Sequence, residues 1–439
     1  MKTALIVAFH FPPFAAGSGI LRILKFCRFL PEFGWQPAVL TAATRAYERT
    51  SDALLNQIPP EVPVVRAFAL DAQKHLSFRG RYFLWTATPD RWASWTFAAV
   101  WNGISLIRRC RADVILTTYP IATSILIGFF LHKLTGKPWI VDFRDSMTEE
   151  EYPKDPRTRQ VYRWIEGKAV RHATRLIFTA KSTLEMYRKR YPSLHEDNCL
   201  LIPNGYDEED FQWLSSLAPP VRVPSKPLRL LHLGLIYPWE RDPRPFFRAV
   251  SRLKQLGRVR AGELRIELRA SGSEDYYAQI LKEVGIEDLV YLLEALPYQE
   301  ALHEAAEADG LLLFQAANCD HQIPAKAYEY LRIGRPILAL TSNAGDTAAL
   351  LRETGGATIA DLSDEEAIFR ALPDFLDAVR SSAHPAPNVE AVQRYSRKNQ
   401  ARVLAQSLTI AVDAHEMQWN TNRGTMRDSE SAHGQHVAK

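Results

Sequence analysis

Two cations and a carboxylate in the second half of the chain have the types and spacing to grip a ligand rich in phosphate and hydroxyl groups. In the string DHQIPAKAYEYLRIGRPILAL, residues 320–340, Pro324 suits a first helical turn and Gly334 suits a stop. The short helix between them carries Lys326 in its opening turn and Glu329 on the same face. A lysine at a helix N-terminus suits phosphate, and a carboxylate that accepts two vicinal hydroxyls suits a ribose. The plainer alternative is an ordinary Lys–Glu helix pair. Asp320 and His321 stand just ahead of this helix.

Upstream, the run LLHLG, residues 230–234, closes a strand at Gly234, and Tyr237, Arg241 and Asp242 follow before the next helix. Ligands of open α/β sheets collect at the carboxyl edge of the strands, and an arginine fork fits a diphosphate. Against this stands a surface pairing of Arg241 with Asp242 or Glu240. Arg244, Arg248 and Arg252 recur at helical spacing and read as a solvated helix face.

The first half offers weaker signals. Gly17 and Gly19 in PPFAAGSGILR precede a helix N-terminus, where backbone N–H groups and the helix dipole favour anions. They equally make a tight turn. A dinucleotide fingerprint would need a glycine where Arg22 stands and an acid closing the second strand, which ends at Thr41, so NAD binding is disfavoured. Asp142, Arg144 and Asp145 close a strand as DFRD, placed either to meet a ligand or to brace their own loop. His10 ends the first strand, where it either takes a proton from a ligand hydroxyl or is a satisfied structural histidine. Aromatic and basic residues mingle over 83–109, with Trp85, Trp92, Trp95, Trp101, Arg108 and Arg109; core packing competes there with a membrane-facing surface.

These residues need scaffolds to position them. An apolar run at 3–9, a loop, helical spacing at 20–33 and a second apolar run at 36–41 make an opening βαβ unit. Strands at 113–118, 139–143, 175–179 and 199–202 continue it, with a buried helix at 121–134. The strands are apolar on both faces, which requires parallel pairing under helices. The Pro-rich segment 218–227 breaks the periodicity and is the expected linker. The pattern restarts with strands at 228–233, 264–268, 310–314 and 336–340, a second doubly wound sheet. The expected division is 1–217, linker 218–227, 228–386, a C-terminal helix in 387–415 returning to the first domain, and a disordered tail 416–439.

Length and composition agree with two α/β domains: 439 residues, 46% hydrophobic and 24% charged. A net charge of +4 is too small for duplex nucleic-acid binding as the main task. Cys27, Cys110, Cys199 and Cys319 are far apart with no CxxC or Cys/His cluster, so neither zinc nor a disulfide framework is expected, and a reducing cytoplasm fits. The N-terminal apolar run is broken by prolines too early for a signal peptide, and no apolar run is long enough to span a bilayer.

Several strings in order resemble the family-four, retaining glycosyltransferases of the GT-B fold. KAYEYLRIGRPILAL resembles their donor-site motif and GLIYPWERDPRPF their first C-domain loop. FHFPPFAAGSGILR is similar to their N-terminal loop, while PDRWASW, DVILTTYP, VDFRDSM and IPNGYD fall in matching order. The resemblance spans about residues 1–410 and implies two Rossmann-like domains facing a cleft, a nucleotide-diphosphate sugar as co-substrate, and no cofactor or metal. It implies that Glu329 holds the nucleotide ribose. The family's other glutamate is replaced by His321, so the sugar contact falls to His321 or Asp320. Leu235 stands where an arginine is usual, which leaves Arg241 and Lys326 to hold the diphosphate. The acceptor would be a glycan or lipid-linked, with peripheral membrane contact on the inner face of the plasma membrane and a role in cell-surface polysaccharide synthesis. The alternatives are a nucleotide-sugar epimerase of the same fold and a non-catalytic sugar-nucleotide-binding subunit.

Overall fold

The computed structural model describes residues 1–15, 19–77, 79, 83–150, 152–216, 226–238 and 241–434, with side chains omitted at 84–85, 215–216 and 418–434. Gly17, Glu240, most of the expected linker and the Trp85 side chain lie outside the described set.

The chain divides into two compact units: residues 1–179, 183–202 and 400–439, and residues 180–182 and 203–399. In the first unit the strands are β1 (Lys2–Val7), β2 (Trp35–Ala42), β3 (Val64–Ala67), β4 (Val114–Thr118), β5 (Trp139–Phe143), β6 (Arg175–Phe178) and β7 (Cys199–Leu201). They form one parallel sheet in the order β3-β2-β1-β4-β5-β6-β7. Its helices are α1 (Gly19–Phe29), α2 (Ala72–His75), α3 (Trp95–Cys110), α4 (Ala122–Thr135), α5 (Pro156–His172) and α6 (Lys181–Arg190). Alternate residues of each strand enter two different cores. Leu5 and Val7 pack with α3, α4 and α5 on one face. Ala4 and Ile6 pack with α1 and the C-terminal helix on the other. This two-faced burial is why the strands read as unbroken apolar runs.

The second unit repeats the scheme with β8 (Leu228–Leu233), β9 (Leu264–Arg269), β10 (Val290–Leu293), β11 (Gly310–Phe314), β12 (Ile337–Leu340) and β13 (Ala357–Ala360), in the order β10-β9-β8-β11-β12-β13 and parallel throughout. The helices are α7 (Arg244–Gln255), α8 (Glu274–Glu283), α9 (Tyr298–Glu307), α10 (Ala325–Ile333), α11 (Asp346–Thr354), α12 (Glu365–Arg380) and α13 (Val389–Gln393); α14 (Arg397–Gly434) closes the chain. In each sheet the winding reverses once, between β1 and β4 and between β8 and β11. The carboxyl edge beside such a reversal leaves a crevice between diverging loops.

Two expected boundaries move. The second unit begins at Pro203, ahead of the Pro-rich segment, because Tyr206 and Phe211 are buried against Leu302 and Leu331 of α9 and α10. The expected single C-terminal helix is broken into α13, which belongs to the second unit, and α14, whose residues from Gln400 group with the first. Leu404 and Leu408 of α14 are fully buried in the first unit's core, each stabilising by roughly 2 kcal/mol. The helix also continues to Gly434, past residue 416 where a disordered tail was expected.

Candidate active site

Lys326 and Glu329 share the face of α10 but do not pair with each other. Pro324 stands at the N-cap position, one residue ahead of the first turn and without a side-chain cap, and Gly334 ends the helix in the left-handed conformation, with φ +79°. Ala327, Tyr328, Tyr330 and Leu331 bury the opposite face. This anchoring holds the two polar residues at the carboxyl edge of the sheet, where β8 meets β11.

The Lys326 ammonium donates to the carbonyl of Leu233, the last residue of β8, and lies 3.2 Å from Nε2 of His232. His232 is completely buried, with Nδ1 2.8 Å from the Leu312 carbonyl. A carbonyl only accepts, so Nδ1 carries the imidazole proton and Nε2 offers its lone pair to Lys326. Burial, then the nearby Lys326 charge, pushes the His232 pKa far below its usual range and keeps the ring neutral. Lys326 is itself affected: burial, followed by the positive charge of Arg241, brings its pKa down to about 7. Gly234, at φ +89°, lets the chain turn away immediately below the ammonium; a β-carbon there would sit 3.4 Å from Nζ. With two bonds made inside the protein, Lys326 has a third N–H for a ligand.

Arg241 is held by its Nη1 bond to the Leu235 carbonyl, 3.0 Å, and by stacking over the Tyr237 ring. It does not pair with Asp242, whose carboxylate takes Arg244 instead. Among the described residues no carboxylate pairs with the guanidinium, which keeps donors for a second anion beside Lys326. Arg244, Arg248 and Arg252 lie on a solvated helix face, as expected, where Arg248 and Arg252 bridge to Glu365 and Glu366.

Glu329 accepts from the Tyr298 hydroxyl at 2.9 Å. Burial raises its pKa, while the bond from Tyr298 and the charges of Lys326 and Arg397 work in the opposite direction. A carboxylate has more lone pairs than one phenol can use, so oxygen acceptors are left for vicinal hydroxyls. The hydroxyl of Tyr298 also lies 3.5 Å from Asp210, which Gln299 contacts at 2.9 Å. Tyr330 is fully buried, and its hydroxyl accepts from the Leu233 N–H at 2.9 Å, tying α10 directly to the end of β8.

The loop before α10 is clamped by Gln315, buried at the end of β11. Its amide donates to the carbonyls of Cys319 and Gln322, at 2.6 and 2.8 Å, and accepts from Thr347, at 2.8 Å. Asp320 accepts the Asp346 N–H on its carbonyl, and its Oδ1 is buried without a hydrogen-bond partner. His321 is part-exposed and 3.4 Å from the Gln322 amide. His232, Tyr298, Tyr330 and Gln315 escaped the reading of the sequence. They are single residues in ordinary apolar or helical surroundings, and only their convergence on α10 marks them.

In the first unit the structure separates the expected residues. Asp142 and Arg22 form a bidentate pair at 2.9 and 3.0 Å, both side chains about 1% exposed, and Arg22 also reaches the Ile202 carbonyl. The carboxylate expected to meet a ligand is thus closed to solvent and fixes α1 to β5, which also explains why an arginine occupies the fingerprint's glycine position. Arg144 pairs with Asp145 at 3.2 Å and lies directly over Gly19, where any β-carbon would collide with its guanidinium. His10 stacks on Phe14 with ring centroids 4.5 Å apart. Burial, then the Arg144 charge, lowers its pKa to about 3, so it is neutral near pH 7. The PDRWASW string has a structural use: Asp90 accepts the N–H and hydroxyl of Thr123, both at 2.8 Å, capping α4.

Doubly wound parallel sheets of this order, each reversing once beside a loop-lined edge, give this chain the GT-B fold. Residues 20–205 match the model of the glycosyl transferase 4-like domain. Among solved structures, the chain is similar to HepE of Anabaena in complex with UDP and glucose, at 13% identity and TM-score 0.61, covering 93% of this chain and 100% of that one. It is similar to sucrose-phosphate synthase of Thermosynechococcus elongatus, at 14% identity and TM-score 0.59, covering 97% and 100%. It also resembles the lipopolysaccharide outer core galactosyltransferase WaaB in its apo form, at 14% identity and TM-score 0.56, covering 91% and 98%. No curated protein matches the chain in sequence.

Proposed function

We propose that this protein is a glycosyltransferase that moves a sugar from a nucleotide diphosphate onto an acceptor hydroxyl, with retention of configuration. The observation that carries the reading is Lys326, held between His232 and Leu233 with an N–H to spare, beside the Arg241 fork and one helix turn from Glu329. Bound diphosphate would raise the Lys326 pKa by supplying the counter-charge the free protein lacks, and the fixed cations would stabilise the charge developing on the departing nucleotide. Two such cations offer the neutralisation that a divalent ion gives elsewhere, so we propose turnover without metal. Glu329 is assigned to the ribose hydroxyls, and Asp320 and His321 to the donor sugar. Gly234 and Tyr237 shape the diphosphate loop. On the first unit, His10 and Asp145 are assigned to the acceptor, with neutral His10 able to accept a proton.

The structures of HepE with UDP and with glucose, and the name of WaaB, support a uridine nucleotide and a cell-surface glycan as the first ligands to try. The test is thermal stabilisation by nucleotide diphosphates and nucleotide sugars, because ligands that bind the native state raise its melting temperature. A shift with a sugar nucleotide that disappears in Glu329→Ala, on a folded background, is the expected result. Absence of any shift across uridine, guanosine, adenosine and thymidine diphosphates would refute the reading. Chelator-insensitive turnover and the anomeric signal of the product check the metal and retention assignments.

A further inference from the structure

We infer that the face of the first unit formed by α3, α4 and α5 docks on an anionic lipid surface. These helices lie side by side over the same face of the sheet, with α4 packed against both neighbours. Each exposes large apolar side chains: Phe97 and Trp101 on α3, 86% and 79% exposed, Phe130 and Leu134 on α4, and Trp164 on α5. Phe97 and Trp101 are one helical turn apart, and Ile104 and Arg108 extend the same stripe. Leaving an aromatic pair this bare has no value to the fold, because Trp95, Ala99 and Leu106 already fill the inward face.

The charge on these helices selects the partner. Arg108, Arg109, Lys133, Arg157, Arg159, Arg163, Lys168 and Arg171 give eight positive residues, and Glu166 is the sole acid, buried and bonded to Arg190. Eight minus one leaves +7 on three helices, against +4 for the whole chain. Lys168 lies over the Trp164 ring and both Lys133 and Lys168 over Phe129, so apolar and cationic groups are interleaved. Tryptophan and phenylalanine at the headgroup level, with lysine and arginine on phospholipid, is the pattern of an interfacial helix. An isologous dimer through this face would instead oppose two +7 surfaces. No helix among the described residues is long and apolar enough to cross a membrane, so the contact is one of surface attachment. Trp95, in the first turn of α3, packs on Phe9, with ring centroids 5.7 Å apart, next to His10. The lipid-facing helix thus starts at the loop assigned to the acceptor. A lipid-linked acceptor is the corollary, and that corollary alone rests on the glycosyltransferase reading.

The full chain is to be floated with vesicles of phosphatidylcholine alone and of phosphatidylcholine with phosphatidylglycerol, alongside a Phe97→Ser, Trp101→Ser double variant and an Arg108→Glu, Arg109→Glu double variant. Binding confined to the anionic vesicles, weakened by salt and reduced about tenfold or more in each variant, is expected. Equal flotation of wild type and variants, or no flotation at all, overturns the inference. So does a dimer in solution that the Phe97→Ser, Trp101→Ser variant dissolves without any vesicle binding, or capture of an acidic protein alone. Thermal stabilisation by UDP in the same preparations reads the donor site independently, and all variants are expected to retain the wild-type response.

Discussion

The Lys326 ammonium lies 3.2 Å from the neutral Nε2 of His232, a base that supplies a lone pair but no countercharge. The lysine is therefore held in position while its charge is offset only in part, by Glu329, until an anion arrives. Its lowered pKa, about 7, expresses that condition.

A pH dependence with a definite sign follows. Binding a diphosphate restores the ammonium, so above about pH 7 the free protein must take up a proton to bind. Affinity for UDP measured by titration calorimetry is expected to be level below that pH. It then falls by up to about tenfold per pH unit above it. Lys326→Met should bind weakly and show no such slope. For stability the folded pKa lies below the ordinary lysine value of 10.5, so the unfolded chain binds more protons between about 7 and 10.5, and the free protein gains stability as pH rises through that window.

Tyr298 gives Glu329 its hydrogen bond in the free protein at 2.9 Å. Tyr298→Phe leaves a half-buried carboxylate short of a donor and is expected to weaken nucleotide binding by about tenfold, the scale of one hydrogen bond to a charged group. Glu329→Gln should cost more, since an amide can accept on one atom only. Both variants should melt within a few degrees of wild type, and an unaltered affinity in both would remove Glu329 from the site.

Gly19 and Arg144 form a steric pair rather than a polar one. Because the crowding atoms are the far end of a flexible, part-exposed arginine side chain, Gly19→Ala is expected to push the guanidinium aside at a cost below about 1 kcal/mol. In an Arg144→Ala background even that cost should vanish, and a urea-denaturation double-mutant cycle measures the coupling.

The Arg22–Asp142 pair is buried and bidentate, so Asp142→Asn strands a buried guanidinium and should cost about 3–5 kcal/mol in the same assay. Loss of activity in this variant should track loss of folded protein. A fully stable but inactive Asp142→Asn would return the carboxylate to ligand binding.

His10 adds a separate acid-side dependence. Its folded pKa of about 3 lies below the ordinary histidine value of 6.5, so the unfolded chain binds the extra proton across that interval and stability falls as pH drops through it. His10→Asn should flatten that part of the urea-midpoint profile between pH 4 and 6.5 relative to wild type.

The sequence by itself determined the two doubly wound sheets, because strands buried on both faces must be written as continuous apolar runs, and it determined α10, because Pro324 and Gly334 mark its ends locally. It also carried Lys326, Glu329 and Arg241, whose charges stand out in short loops and turns. The strands β3, β10 and β13 were not legible: each lies at an edge of its sheet with three of its four residues only partly buried, so none is written as the two-faced apolar run that marked β6 and β12. Nor could spacing tell which acid each arginine would choose. Only the tertiary structure gave Asp142 to Arg22 and gave Asp242 to Arg244 and not to Arg241, since ion pairing depends on distances across the fold and not along the chain. The same holds for His232 and Tyr298, which are 94 and 31 residues from the groups they contact and acquire a role only when β8, α9 and α10 meet at one edge of the sheet.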